Sequence, residues 1–183
     1  PNTKLLMLCS PNNPTGSVYT LENLKALVEV LKKHPQVVVL ADEIYQHILY
    51  TGKHEALAQF PELEDRLIII NGVSKAYAMT GYRIGWLACH DKELITAVKR
   101  LQGQTISCAT TIAQKAAEAA YTGPQECVEE MRQAFERRRN LIVGLAKEIP
   151  GMKVLEPQGA FYLFPDVSAY FGKQYQGQTI HNA

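Results

Sequence analysis

The sequence predicts an α/β layered fold, and three kinds of local pattern indicate it. Short apolar runs such as residues 36–43 (QVVVLADE) are typical of strands that are covered on both faces of a parallel sheet. Segments with apolar residues at helical spacing lie between and after these runs. Clusters of Gly, Pro and Asn separate the segments. Strands that are joined by helical or irregular crossovers are the signature of an α/β protein.

The first part of the chain is predicted to supply the sheet. The predicted strands cover residues 4–9, 36–43, 66–73 and 81–89. Thr20 can cap a helix over residues 21–33, which His34-Pro35 ends. The apolar face of this helix consists of Leu21, Leu24, Leu27, Val28 and Leu31.

The second part of the chain is predicted to be mainly helical. Helices are expected over residues 92–104, 110–123 and 125–149. Gly123 and Pro124 end the second helix and mark a boundary between part of a large domain, residues 1–123, and the beginning of a small α+β domain, residues 124–183. Short strands are expected at residues 152–157 and 160–165. The chain opens at Pro1 directly before an apolar run and closes in QYQGQTIHNA, where no element is completed, so we expect a fragment of a longer protein.

The composition argues against several classes of partner. The 183 residues carry 19 basic and 18 acidic side chains, without a basic block that would attract nucleic acid or anionic lipid. No apolar run approaches the roughly 18–20 residues of a transmembrane helix, and the first residues lack the features of a signal peptide. The four cysteines form no CxxC pair, so no metal site is predicted. We expect a globular protein of the cytoplasm.

The strongest local signal for chemistry is NGVSKAYAMTGYRIGWL, residues 71–87. Lys75 directly follows a predicted strand, where partial burial favours the neutral amine that forms a Schiff base with an aldehyde. Arg83 offers a fork of donors that matches a phosphate dianion, and the glycines around it allow close approach of the backbone. Taken alone, these two cations can also be solvated surface charges.

A second signal is the pair of acidic residues, Asp42 and Glu43, that ends the predicted strand at residues 36–43. Ligands of parallel sheets bind at the carboxyl ends of the strands, so Asp42 and Tyr45 are expected to face a cleft. A carboxylate there can hold a pyridine nitrogen protonated. The rival interpretation is the magnesium site of a P-loop nucleotidase, which has the same apolar run before its acidic residues. This chain contains no GxxxxGK[ST], although a segment upstream could carry one.

The third signal is SPNNPTG, residues 10–16, whose asparagines alone could simply be turn residues. Together and in this order, the three strings resemble the fold-type I pyridoxal-phosphate enzymes, and among them the class I/II aminotransferases of the aspartate aminotransferase group. SPNNPTG is similar to the family's asparagine loop, ADEIY to its aspartate and tyrosine strand end, and SKAYAMTGYRIGW to its lysine and arginine segment. The resemblance continues through TTIAQKAA to GAFYLFPD.

The resemblance implies a three-layer α/β/α large domain, a homodimer and pyridoxal 5'-phosphate as the cofactor. Lys75 would carry the cofactor as a Schiff base and move a proton during catalysis, and Asp42 would pair with the pyridine nitrogen. Asn13 and Tyr45 would hydrogen-bond the phenolate oxygen of the cofactor, and Arg83 would bind its phosphate. The family often has a phosphate-binding serine or threonine three residues before the lysine. That position is Gly72 here, so Ser74 or an upstream segment must supply the donor, or the site has one donor fewer.

By this resemblance, the expected reaction is transfer of an amino group from an L-amino acid, aspartate-like or aromatic, to a 2-oxo acid such as 2-oxoglutarate. Two alternatives stay open on the sequence. One is a transcription regulator that uses an aminotransferase-like domain as its sensor, and the other is a related lyase or synthase with the same lysine chemistry. An upstream helix-turn-helix would indicate the first, and release of ammonia or a thiol would indicate the second.

Overall fold

The computed structural model describes residues 2–182, and four of its strands form one sheet in the order β1-β2-β3-β4. The strands are β1 (Leu5–Cys9), β2 (Val38–Asp42), β3 (Leu67–Gly72), β4 (Gly85–Ala88), β5 (Gln174–Tyr175) and β6 (Gln178–Thr179). The α-helices are α1 (Leu21–Lys32), α2 (Lys92–Thr105), α3 (Thr111–Thr122) and α4 (Glu126–Lys147). Short 3-10 helices cover Leu57–Gln59, Pro61–Arg66, Thr80–Tyr82 and Ser168–Tyr170. The predicted α/β fold class is confirmed.

The first three strands are parallel, as their continuous apolar sequences predict. Helix α1 packs against this part of the sheet and shares its main hydrophobic core with β2. Leu24, Val28 and Leu31 of the predicted helix face are fully buried, and Leu21 and Leu27 are half-buried. Full burial of an aliphatic side chain stabilises a fold by about 1.5–3 kcal/mol, so this face fixes α1 on the sheet.

The helix boundaries follow from capping residues. The Thr20 hydroxyl accepts a hydrogen bond from the Asn23 amide at 3.2 Å, and the Asn23 side chain accepts one from the Thr20 amide in return. The Asp91 carboxylate accepts two backbone amides of the first turn of α2, from Glu93 and Leu94, both at 2.9 Å. Across residues 2–182, no helix combines the length and the apolar character that a bilayer span requires.

Strand β4 runs antiparallel to β3, whereas the strands before it are parallel. The connection between Gly72 and Gly85 contains turns and the 3-10 helix Thr80–Tyr82, and it has no α-helix that could return the chain to the start of β3. As a result Gly85 pairs with Gly72, and β4 begins at the edge of the sheet where β3 ends.

The strands expected at residues 152–157 and 160–165 were predicted wrongly. The two segments form only isolated bridges, Lys153 with Asp166 and Leu49 with Gly159. Ala160 has a φ of 55°, which interrupts an extended strand, and its amide donates to the Ile48 carbonyl at 2.8 Å. The hydrogen bonds of this segment therefore go largely to loops of the first part of the chain rather than to a neighbouring strand.

The end of the chain was also predicted wrongly, since the final residues do complete an element of secondary structure. Strands β5 and β6 form a small antiparallel hairpin. Its turn residues Gln176 and Gly177 have φ values of 51° and 78°. Positive φ at both central residues is the mark of a type I′ turn, which matches the twist of a two-residue hairpin.

Candidate active site

The predicted site segments meet at one edge of the sheet. In the parallel register, Cys9 pairs with Asp42, and Asp42 pairs with Ile70. The loops that follow β1, β2 and β3 therefore leave the sheet side by side. Because β4 is antiparallel, its first residue, Gly85, lies at this same edge. The edge thus collects the asparagine loop, the Asp42 turn and both ends of the lysine and arginine segment.

Asp42 is the last residue of β2 and is half-buried. Its Oδ1 accepts a hydrogen bond from the Ile44 amide at 3.2 Å, which holds the carboxylate at the start of a turn. The turn is closed by the Gln46 amide, which donates to the Glu43 carbonyl at 2.9 Å. It directs Tyr45 into a small core cluster, where that side chain is only 3% exposed.

The Tyr45 hydroxyl is hydrogen-bonded to the hydroxyl of Tyr162 at 2.5 Å. The side-chain amide of Asn13 donates to the same Tyr162 hydroxyl at 3.3 Å. Burial and, after it, the bond to Tyr162 raise the pKa of Tyr45 well above its ordinary value. Tyr45 therefore remains a neutral phenol that can donate a hydrogen bond.

Lys75 lies in a turn directly after β3 and is half-buried. The turn is held by the Tyr77 amide, which donates to the Val73 carbonyl at 3.3 Å. The Lys75 Nζ lies 5.8 Å from the ring centroid of Tyr45 and 5.5 Å from that of Phe161. Two aromatic walls therefore shield the amine, and Lys75, Tyr45 and Asn13 form one connected group.

Arg83 and Ser74 belong to the same edge but are less closely tied to this group. Arg83 is exposed, has a φ of 52° and donates from Nη1 to the Thr80 carbonyl at 2.8 Å. Ser74 is half-buried beside Lys75. At Gly72 a side chain does not fit, since its Cβ would lie 2.8 Å from Gly85 Cα. The close approach of β4 thus explains the absence of a hydroxyl at this position.

Two aromatic residues of the site were missed by sequence reasoning, Phe161 and Tyr162. Both belong to GAFYLFPD, a segment that the family resemblance includes but to which it assigns no role. Tyr162 and Tyr45 are 117 positions apart, and no local periodicity reports a contact over that distance. The available signal was Gly159, whose absent side chain allows the segment to pack on Pro11.

Comparison with known proteins agrees with this geometry. The sequence profile of the family "Aminotransferase class I and II" matches residues 1–180. The aspartate aminotransferase of Pinus pinaster is 47% identical over 99% of the chain, and that of Geobacillus stearothermophilus is 52% identical over 91%. The crystal structure of the aspartate aminotransferase from Rhizobium meliloti superimposes with a TM-score of 0.92 at 42% identity over 99% of the chain.

The chain spans only 37%, 42% and 46% of the lengths of these three proteins, respectively. The match nevertheless covers nearly the whole chain in sequence and in fold, and it includes the sheet edge described above. The chain belongs to the class I and II aminotransferase family.

Proposed function

We propose that this chain is the middle part of a pyridoxal-phosphate-dependent aminotransferase. The reaction is transfer of an amino group from an L-amino acid, aspartate-like or aromatic, to a 2-oxo acid such as 2-oxoglutarate. The observation that carries the proposal is the position of a shielded amine next to an acidic strand end: Lys75 Nζ lies 5.8 Å from the ring centroid of Tyr45, and Tyr45 follows Asp42 by one turn. The relatives' names support aspartate as the first donor to test.

The chemistry of the donor set fits this cofactor. Lys75 offers the amine that reacts with its aldehyde, and the Asp42 carboxylate suits a protonated ring nitrogen. The Asn13 amide and the Tyr45 phenol offer donors for the ring oxygen. The Arg83 guanidinium and, less directly, the Ser74 hydroxyl suit a phosphate dianion.

When bound, pyridoxal phosphate supplies an electron sink for the bond that breaks at the substrate Cα. The residues of this chain would position the protons that the reaction needs. The carboxylate of Asp42 would hold a proton on the ring nitrogen, which the ring needs in order to withdraw electrons well. The Lys75 amine, which lies against the rings of Tyr45 and Phe161, would take the proton from the substrate Cα.

The organisation of the full protein is part of the same proposal. Residues 1–123 belong to the large domain and residues 124–183 begin the small domain, with the boundary at Gly123, the C-cap of α3. By the family resemblance, the full protein is a homodimer with its sites at the subunit boundary. We also propose that the full protein is cytoplasmic, and the free thiols of Cys9, Cys89, Cys108 and Cys127 are in keeping with that reducing compartment.

The proposal is tested on the full-length protein by reduction with borohydride and peptide mapping. We expect the cofactor to be fixed on Lys75, and we expect aspartate and 2-oxoglutarate to give oxaloacetate and glutamate at steady state. Lys75→Ala should abolish both results. Lys25→Ala, which removes an exposed lysine of α1, is the matched control and should change neither.

A label on another lysine would contradict the assignment of Lys75. Release of ammonia from the donor, without a new amino acid from the 2-oxo acid, would instead indicate a lyase.

A further inference from the structure

The hydroxyl of Tyr162 contacts both residues that are assigned to the ring oxygen of the cofactor. It lies 2.5 Å from the Tyr45 hydroxyl and 3.3 Å from the Asn13 amide nitrogen. Its neighbour Phe161 forms one of the two walls around Lys75. Tyr162 is therefore inside the site, although it comes from the part of the chain assigned to the small domain.

Tyr45 and Tyr162 have two hydroxyl protons between them, and their mutual hydrogen bond needs only one. A phenol has one hydroxyl proton and can accept hydrogen bonds as well. The bond between Tyr45 and Tyr162 uses one of the two hydroxyl protons, whichever ring donates it. The other proton stays available for a third group, and the amide of Asn13 already donates into the pair. The three residues thus form a chain of donors that ends in one free O–H.

A negatively charged oxygen is the acceptor that such a chain favours. Each hydrogen bond along a chain polarises the next, so the last donor is stronger than an isolated phenol. Tyr45 is buried and Tyr162 is half-buried, so water has limited access to the pair, in agreement with the raised pKa of Tyr45. The available acceptor of matching charge is the ring oxygen of the cofactor.

Tyr162 is also held firmly in place. The amide of Gly159 donates to the Gly16 carbonyl at 3.0 Å, and that of Ala160 donates to the Ile48 carbonyl at 2.8 Å. The hydroxyl of Tyr50 donates to the Ala160 carbonyl. A Cβ at Gly159 would lie 2.7 Å from Pro11 Cβ, so the backbone is seated directly on the asparagine loop.

We propose that Tyr162 is a positioning residue that orients Tyr45 and Asn13 and strengthens their hydrogen bond to the ring oxygen of the cofactor. This inference rests on the proposed function. Loss of the proton from the proposed Schiff base between Lys75 and the cofactor would leave more negative charge on the ring oxygen. Hydrogen-bond donors to that oxygen would therefore favour the deprotonated Schiff base.

The test is a pH titration of the visible absorbance of the cofactor in the full-length holoenzyme. Tyr162→Phe removes only the hydroxyl and should raise the midpoint pH of the absorbance change by about 0.5–1 unit, the effect of one net hydrogen bond. Tyr50→Phe is the matched control. It removes a hydroxyl that donates to the Ala160 carbonyl and, within residues 2–182, hydrogen-bonds neither Asn13 nor Tyr45, so the midpoint should stay at the wild-type value.

Three outcomes would overturn the inference. If wild type titrates and the Tyr162→Phe midpoint stays within about 0.1 unit of it, the hydroxyl has no effect on the cofactor and only the inference fails. If Tyr50→Phe shifts the midpoint as much as Tyr162→Phe, packing of the segment is responsible rather than the hydroxyl. If the wild-type protein binds no cofactor at Lys75, the proposed function fails together with the inference.

Discussion

At the scale of single residues, the charge of Asp42 can be removed with little change in structure. Asparagine keeps an Oδ1 that can accept the Ile44 amide, so Asp42→Asn should preserve the turn after β2. Loss of one partner of a buried ion pair costs about 3–5 kcal/mol, and about 1.4 kcal/mol equals one decade of rate. We therefore expect the half-reaction with an amino-acid donor to slow by roughly two to four decades in the full-length enzyme.

Single-turnover absorbance kinetics measure this rate, and circular dichroism verifies the fold. Asp65→Asn is the control, because Asp65 is an exposed carboxylate of the 3-10 helix Pro61–Arg66. A half-reaction of Asp42→Asn within about threefold of wild type would show that Asp42 is not the partner of the ring nitrogen.

The half-buried Tyr50 should make the stability of the protein depend on pH in the alkaline range. Burial raises the pKa of Tyr50 from 10.0 to about 12, against an opposing effect of Arg139. Between these pH values the folded protein keeps a proton that the unfolded chain releases, so the free energy of unfolding should fall as pH rises from 10 to 12. Tyr45, whose pKa is also raised, contributes with the same sign.

Urea unfolding at several pH values tests this in the full-length protein. Tyr50→Phe should show a shallower loss of stability than wild type over this range. Tyr19→Phe, at an exposed tyrosine, should keep the wild-type slope. Parallel curves for Tyr50→Phe and wild type would mean that Tyr50 titrates normally.

The sequence allows prediction of those site residues that lie at the ends of apolar runs. Asp42 and Lys75 directly follow the runs that form β2 and β3, and parallel pairing is enough to bring two such ends together. Tyr162 follows no such run, and its contacts depend on how a distant segment folds back over the sheet edge.

At the scale of elements, strand β4 shows that a local sequence pattern predicts a strand but does not predict its direction in the sheet. Its apolar sequence predicts a strand, but its direction depends on whether the preceding connection contains a crossover helix. The same dependence explains the missing strands at residues 152–157 and 160–165. A suitable apolar sequence is present there, but Gly159 and Ala160 bend the chain toward the loops around Gly16 and Ile48.

The contact between β3 and β4 also gives a prediction about Gly72. Gly72→Ser would create the hydroxyl that the family resemblance leads us to expect three residues before the lysine. Its Cβ, however, would lie 2.8 Å from Gly85 Cα and 3.0 Å from the Ile84 carbonyl oxygen, and both are backbone atoms that cannot simply rotate away. Overpacking of this kind costs about 1–3 kcal/mol, so Gly72→Ser should lower the free energy of unfolding by that amount.

Chemical denaturation of the full-length protein measures this cost. Gly103→Ala is the control, because a Cβ at this position of α2 meets no atom within 4 Å. The control should be neutral or stabilising by up to about 1 kcal/mol, as usual for this change within a helix. If Gly72→Ser is as stable as wild type and binds the cofactor more tightly, the strands can separate enough to admit a phosphate donor.

At the scale of the whole molecule, the residues described here leave apolar surface uncovered in two places. Strand β1 lies at the edge of the sheet, and its Met7 is 68% exposed. Helix α4 leaves Leu141, Ile142 and Leu145 exposed near its C-terminal end. A strand edge with open hydrogen-bonding groups and an uncovered apolar helix face are both surfaces that associate in water. The relatives are more than twice as long, which is consistent with further chain covering both surfaces.

We therefore expect residues 1–183, produced without the rest of the protein, to self-associate and to have no aminotransferase activity. Size-exclusion chromatography with light scattering measures the association. Met7→Lys should increase the monomer fraction, because a charged side chain at a strand edge disfavours pairing with another edge. Ala26→Lys adds the same charge at an exposed position of α1, away from β1, and should help less. A monodisperse monomer, or turnover at the rate of the full-length enzyme, would show that these surfaces need no cover and that the chain contains a complete site.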